Sequence, residues 1–171
     1  MKNACLTLLA VLAAFTPLAK AQETVVRWNT IVGVITAPNV DNPVAGTSIH
    51  SGTLPWTTLG GKARVNLTAG AVMFDVNGPV LNGGDTTGTL PAGFPKVVGT
   101  LVCNAGGTTA AVIIDTPQVS ISQQGNADFS GQVTGIPAQC ANPLFLIRVP
   151  AFGGRWIANG AVRVISGQSG D

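Results

Sequence analysis

Apolar positions along this chain alternate with polar ones, or cluster in short runs between glycines and prolines, and almost nowhere recur at helical spacing. The clearest alternation runs over residues 62–77. Ala63, Val65 and Leu67 interleave with Lys62, Arg64, Asn66 and Thr68, and beyond Ala69-Gly70 the pattern resumes with Val72, Phe74 and Val76 against Met73, Asp75 and Asn77. That pattern predicts a hairpin with one buried face. Matching the apolar faces sets Leu67 opposite Val72, Val65 opposite Phe74 and Ala63 opposite Val76. It also puts Arg64 across from Asp75 and leaves a four-residue loop over 68–71.

The rest of the chain reads the same way. A first long strand is expected over 25–36, stopped by a loop rich in Asn39, Asp41 and Asn42. Further strands are expected over 96–104, 109–115, 118–122, 128–134, 144–149, 155–158 and 161–165, with Asn159-Gly160 as a tight turn between the last two. About nine or ten short strands at this spacing predict an all-β fold. A single-domain β-sandwich, immunoglobulin-like or jelly-roll-like, is the first choice, and a β-barrel the second. Two connections, 50–61 and 82–95, are longer than such a fold needs, and long loops on a rigid sheet are where binding residues gather.

The first residues break from this pattern. Lys2 precedes an uncharged apolar stretch over 6–15, and Ala19-Lys20-Ala21 supplies the small-x-small motif cut by a signal peptidase. Residues 1–21 are therefore expected to be a secretory signal peptide and 22–171 a single all-β domain, secreted or periplasmic. The apolar stretch falls short of the roughly 20 residues that span a bilayer, so no membrane insertion is expected.

Cleavage changes the charge. Loss of Lys2 and Lys20 takes nine basic residues to seven, against seven acidic ones. With no basic run left, nucleic acid is not an expected partner, while near-neutrality leaves self-association open. Cleavage also removes Cys5. Cys103 and Cys140 remain, and two cysteines in an oxidising compartment are expected to pair in a disulfide worth about 4 kcal/mol by the chain-entropy relation.

Catalytic chemistry is sparse. His50 is the sole histidine, so any imidazole base or His-metal cluster must use it. Ser48 and Ser51 flank it, but no Gly-x-Ser-x-Gly elbow is present. Asp75, Asp85, Asp115 and Asp128 could in principle form a glycosidase pair, but Asp75 has a cross-strand partner and Asp128 sits at a strand start. No cofactor is expected. Calcium is the ion that extracellular loops bearing Asp41 or Asp85 would suit, because Asn and Asp supply hard oxygens. Among the three tryptophans, Trp56 beside Pro55 is the candidate for stacking on a sugar, whereas Trp28 and Trp156 fall in strands and read as core. Trp56, His50 and Asp85 are thus the candidate ligand-binding residues.

The run Val98-Gly99-Thr100-Leu101-Val102-Cys103-Asn104 is one of three to compare with known proteins, with Cys140-Ala141-Asn142-Pro143-Leu144-Phe145-Leu146-Ile147-Arg148 and Trp156-Ile157-Ala158-Asn159-Gly160. Together they resemble uncharacterised small secreted β-sandwich proteins of soil bacteria. The resemblance implies a secreted, cysteine-paired β character and transfers no activity and no site residue. The expectation is therefore a non-catalytic extracellular protein that binds a glycan or another cell-surface component, or that serves as a structural element of that surface. The alternative is a small extracellular hydrolase using His50 and a loop carboxylate.

Overall fold

The computed structural model describes residues 23–37 and 39–167, so the expected signal peptide lies outside the described residues. Eleven strands follow one another: β1 (Val25–Gly33), β2 (Trp56–Thr57), β3 (Gly60–Asn66), β4 (Ala71–Asn77), β5 (Val80–Leu81), β6 (Lys96–Cys103), β7 (Val112–Asp115), β8 (Val119–Ser120), β9 (Ala127–Gln132), β10 (Leu144–Val149) and β11 (Arg155–Ser166). Among the described residues, helix is confined to single 3-10 turns at Gly84–Thr86 and Pro150–Phe152. The all-β expectation holds, with 47% strand and 4% helix.

Its form is the barrel-like one. One antiparallel sheet runs β7-β6-β10-β11-β1-β3-β4-β9, with β8 also pairing β6, and it curls into a half-barrel. Two irregularities help it bend. The β10–β11 register shifts between Ile147 and Arg148. On β1 the buried positions run Val26, Trp28 and then Ile31, a break in alternation opposite Val162, whose φ is 53°. The connection from β8 to β9 is a tight turn, closed where the Ser122 N–H donates to Asn126 O at 2.9 Å. A separate two-stranded ribbon pairs β2 with β5, Trp56 opposite Leu81.

The concave face carries the core. Trp28, Phe74 and Phe145 are essentially sealed from solvent, with Phe145 centred 5.5 Å from Trp28 and 5.7 Å from Phe74. Space for these rings comes from missing side chains. A Cβ on Gly99 would lie 2.6 Å from the Phe74 ring and 2.8 Å from that of Phe145. Cys103 and Cys140 are at disulfide-bonding distance with Cα atoms 4.7 Å apart, tying the end of β6 to the loop that precedes β10.

Two local expectations are corrected. The hairpin loop is four residues long, but it spans 67–70, so Val65 faces Val72, Ala63 faces Phe74 and Lys62 faces Asp75. Asn66 sets this register: its Oδ1 accepts from the N–H groups of Thr68 and Ala69 at 3.0 and 2.9 Å, and its carbonyl accepts from Gly70 at 2.8 Å. Because the shift is two residues, every side chain keeps its face and only the partners change. The second correction concerns Asn159-Gly160. It is no turn; β11 runs unbroken through it from Arg155 to Ser166.

Candidate functional site

The two long connections build one end of the half-barrel together. Trp56 starts from β1, its N–H donating to Val34 O at 2.8 Å, and Thr58 Oγ1 donates to Ile31 O at 2.7 Å. Gly33 makes this approach possible, since a Cβ there would run into the Trp56 backbone. The second connection then zips onto the first: Asn82 N–H donates to Pro55 O at 2.9 Å, beside the β2–β5 ribbon.

Between them lies an open cleft of about 390 Å³, largely apolar, with Trp56, Leu81 and Ile157 in its lining and Leu54, Pro91, Phe152 and Arg155 around them. Trp56 is 4% exposed, so it is no surface platform for a sugar. One side of its indole is covered by Phe94, stacked at 5.3 Å, and Phe94 in turn meets Phe152 at 5.6 Å. Phe152 is 40% exposed and Leu54 45%, which leaves apolar surface for a ligand at the rim rather than at the tryptophan. The Trp56 Nε1 lies beside Gly52, 3.1 Å from where a Cβ would stand, and has no hydrogen-bond partner among the described residues.

Polar chemistry adjoins the cleft through Arg155. Its Nη1 donates to Ser51 O at 2.6 Å and lies 3.3 Å from Asp41 Oδ2. The same carboxylate oxygen is 3.0 Å from His50 Nδ1. Trp156 fixes this trio twice: its backbone N–H donates to His50 O at 3.0 Å, and its indole N–H donates to Asn42 O at 3.0 Å. The neighbouring hydroxyl is not free to act. Ser51 is fully buried, and its Oγ accepts from Asn42 N–H at 2.8 Å and donates to Gly52 O at 2.8 Å.

Of the residues singled out in the sequence, Trp56, His50 and Asp41 thus come to one region, with Arg155 as the link. Asp85 does not join them; it sits exposed in the 3-10 turn at Gly84–Thr86. The Arg155 guanidinium and the His50 Nδ1 both already face Asp41 Oδ2, which leaves that oxygen engaged rather than open to a metal ion. Among the described residues no group of three or more His, Cys, Asp or Glu is placed to hold a metal ion. Asp75 and Asp128 are cross-strand neighbours on the outer face, with Lys62 Nζ 3.9 Å from Asp75.

Sequence reasoning missed Phe94, Phe152 and Arg155. Phe152 carried a usable signal, an aromatic residue in a Pro- and Gly-flanked loop between two strands, where nothing in local structure calls for a large apolar side chain. Arg155 carried none, because its importance comes from partners more than 100 residues earlier.

The rim is held from behind. Arg148 Nε donates to Gly154 O at 2.6 Å, and its Nη1 meets Asp115 Oδ1 at 3.0 Å, while Thr100 Oγ1 donates to that same oxygen at 2.6 Å. This network ties edge strand β7 to the turn that presents Phe152. No protein-family model, curated protein or solved structure matches the chain.

Proposed function

We propose that this is a secreted, non-catalytic protein that binds an extracellular glycan in the cleft beside Trp56. The observation that carries the reading is the convergence of both long connections on one apolar cleft. The exposed Phe152 and Leu54 at its rim offer contact to the C–H face of a sugar ring, and Arg155 offers donors to hydroxyls. Secretion rests on Lys2, the apolar stretch over 6–15 and Ala19-Lys20-Ala21, and it accords with the Cys103–Cys140 pair.

A thermal-melt screen against cello-, xylo- and chito-oligosaccharides tests this. A ligand at 100 times its Kd adds about 2.7 kcal/mol, which corresponds to a rise of roughly 5–10 °C for a domain of this size. The same rise should vanish in Leu54→Asp, whose exposed position leaves the core intact. No rise with any of the three sugar classes would overturn the glycan reading.

One observation favours the hydrolase alternative: His50 Nδ1 lies within hydrogen-bond distance of Asp41, as in a base held by a carboxylate. The buried Ser51 hydroxyl is committed on both sides, so an enzyme built on His50 and Asp41 would activate water rather than that serine. Release of reducing ends from the same oligosaccharides, abolished by His50→Gln, would establish it.

A further inference from the structure

The corrected hairpin register leaves two arginines facing each other. The sequence pattern pairs Arg64 with Asp75, but the observed ladder gives Asp75 to Lys62 and sets Arg64 between Arg27 on β1 and Met73 on β4. Their neighbours Val26 and Val65 are fully buried, so both guanidinium groups project from the convex face. Like charges directly opposite on adjacent strands destabilise a sheet. Arg27 is relieved only by the hydroxyl of Ser166 at 2.9 Å, and Arg64 has no hydrogen-bond partner among the described residues. No carboxylate lies within ion-pair distance of either guanidinium among them, although the adjacent row carries Lys62, Asp75 and Asp128.

The surroundings fit a ligand. A shallow hollow of about 170 Å³ lies beside Arg64, with Met73 and Ser130 in its lining. Met73 is 49% exposed, an apolar side chain in the middle of a polar row, and Ser130 on edge strand β9 faces it in register.

We propose that Arg27, Arg64 and Ser130 form a second binding site, for a tetrahedral oxyanion carried on a sugar, a sulfate or phosphate ester whose ring rests on Met73. Two guanidinium forks on adjacent strands present donors from different directions, which the three non-bridging oxygens of a tetrahedral ester match better than the two coplanar oxygens of a carboxylate. The site is too small and isolated for nucleic acid, which needs phosphate contacts strung along a groove. It is independent of the cleft at Trp56, and either reading can fail without the other.

Calorimetric titration of the oxidised protein at low salt tests the site, with inorganic sulfate, inorganic phosphate, a sulfated dextran oligosaccharide and plain dextran. The two inorganic ions separate a free anion from an ester on a polymer. The expected result is binding of the sulfated oligosaccharide and none of plain dextran. Arg27→Gln and Arg64→Gln should each weaken that binding about tenfold or more, the worth of a charge-assisted hydrogen bond. Arg64→Lys, which keeps charge but loses the fork, should fall between, and Lys96→Gln should change it less than twofold. A merely structural Arg64 would lower the melting temperature when replaced; relief of the like-charge pair predicts that Arg64→Gln melts at or above the parent. No binding by any anion, or equal loss in Lys96→Gln, would overturn the proposal.

Discussion

Gly160 lies against the indole of Trp28: a Cβ at that position would stand 2.5 Å from the ring Cγ and 2.6 Å from Cδ1. The glycine is there for a close approach and not for a turn. It lets the largest core side chain of β1 lie across β11, in a strand that the Asn159-Gly160 pair would otherwise seem to break. Gly160→Ala should therefore cost about 1–3 kcal/mol by overpacking, read as a shift in the midpoint of denaturant unfolding at constant m value. Asn159→Ala should change it by less than about 0.5 kcal/mol, because that side chain reaches only the adjacent Gly160 carbonyl. Equal costs at the two positions would favour a turn after all.

Asn66 makes a second prediction, on the hairpin. Its carboxamide oxygen serves two loop N–H groups and its Nδ2 donates to Glu23 at 3.0 Å, in a side chain that is nearly buried. Asn66→Ala should cost about 1–3 kcal/mol. It should also weaken protection of the Gly70 amide in hydrogen exchange, whereas Thr68→Ala, on the exposed side of the loop, should leave that amide protected.

The disulfide gives a third. The bond closes a loop with a sequence separation of 37, for which the chain-entropy relation predicts about 4 kcal/mol. Cys140→Ser should lower stability by about that amount, and the parent should lose the same amount in reductant. Identical melting with and without reductant would show that the cysteines are not paired in solution.

His50 and Asp41 separate binding from catalysis. Both are partly exposed and paired at the surface, so His50→Gln should change stability by no more than about 1 kcal/mol, the range of an exposed ion pair. On the binding account it should also leave the affinity for an oligosaccharide within twofold. Arg155→Gln should weaken that affinity about tenfold, since Arg155 lines the cleft itself. A His50→Gln variant that binds normally but loses hydrolysis would move the protein into the enzyme class.

The two-residue slip of the hairpin shows what could be read from the chain and what could not. Alternation at Ala63, Val65, Val72, Phe74 and Val76 identified the strands and their buried face, because burial acts on every second residue and survives an even shift. Partner choice depended on Asn66 capping the loop, a local hydrogen-bond contest that alternation does not report. Strand β10 was legible to the residue, as a compact apolar run with clear stops. The site was legible only in part. The long connections and Trp56 marked its location, but the paired role of Arg155, the stacking of Phe94 and the burial of Trp56 arise from the curl of the sheet, which no short window of sequence contains.

The most direct test of the central claim uses the three indole N–H resonances of the 15N-labelled protein during titration with cellohexaose, xylohexaose and chitohexaose. Trp28 is sealed in the core and Trp156 donates to Asn42, whereas Trp56 borders the cleft. The account predicts that at least one of these sugars moves the Trp56 indole resonance in a saturable way and leaves that of Trp28 in place. Titrations that leave Trp56 unmoved with all three, or that move the three indoles together, would contradict it.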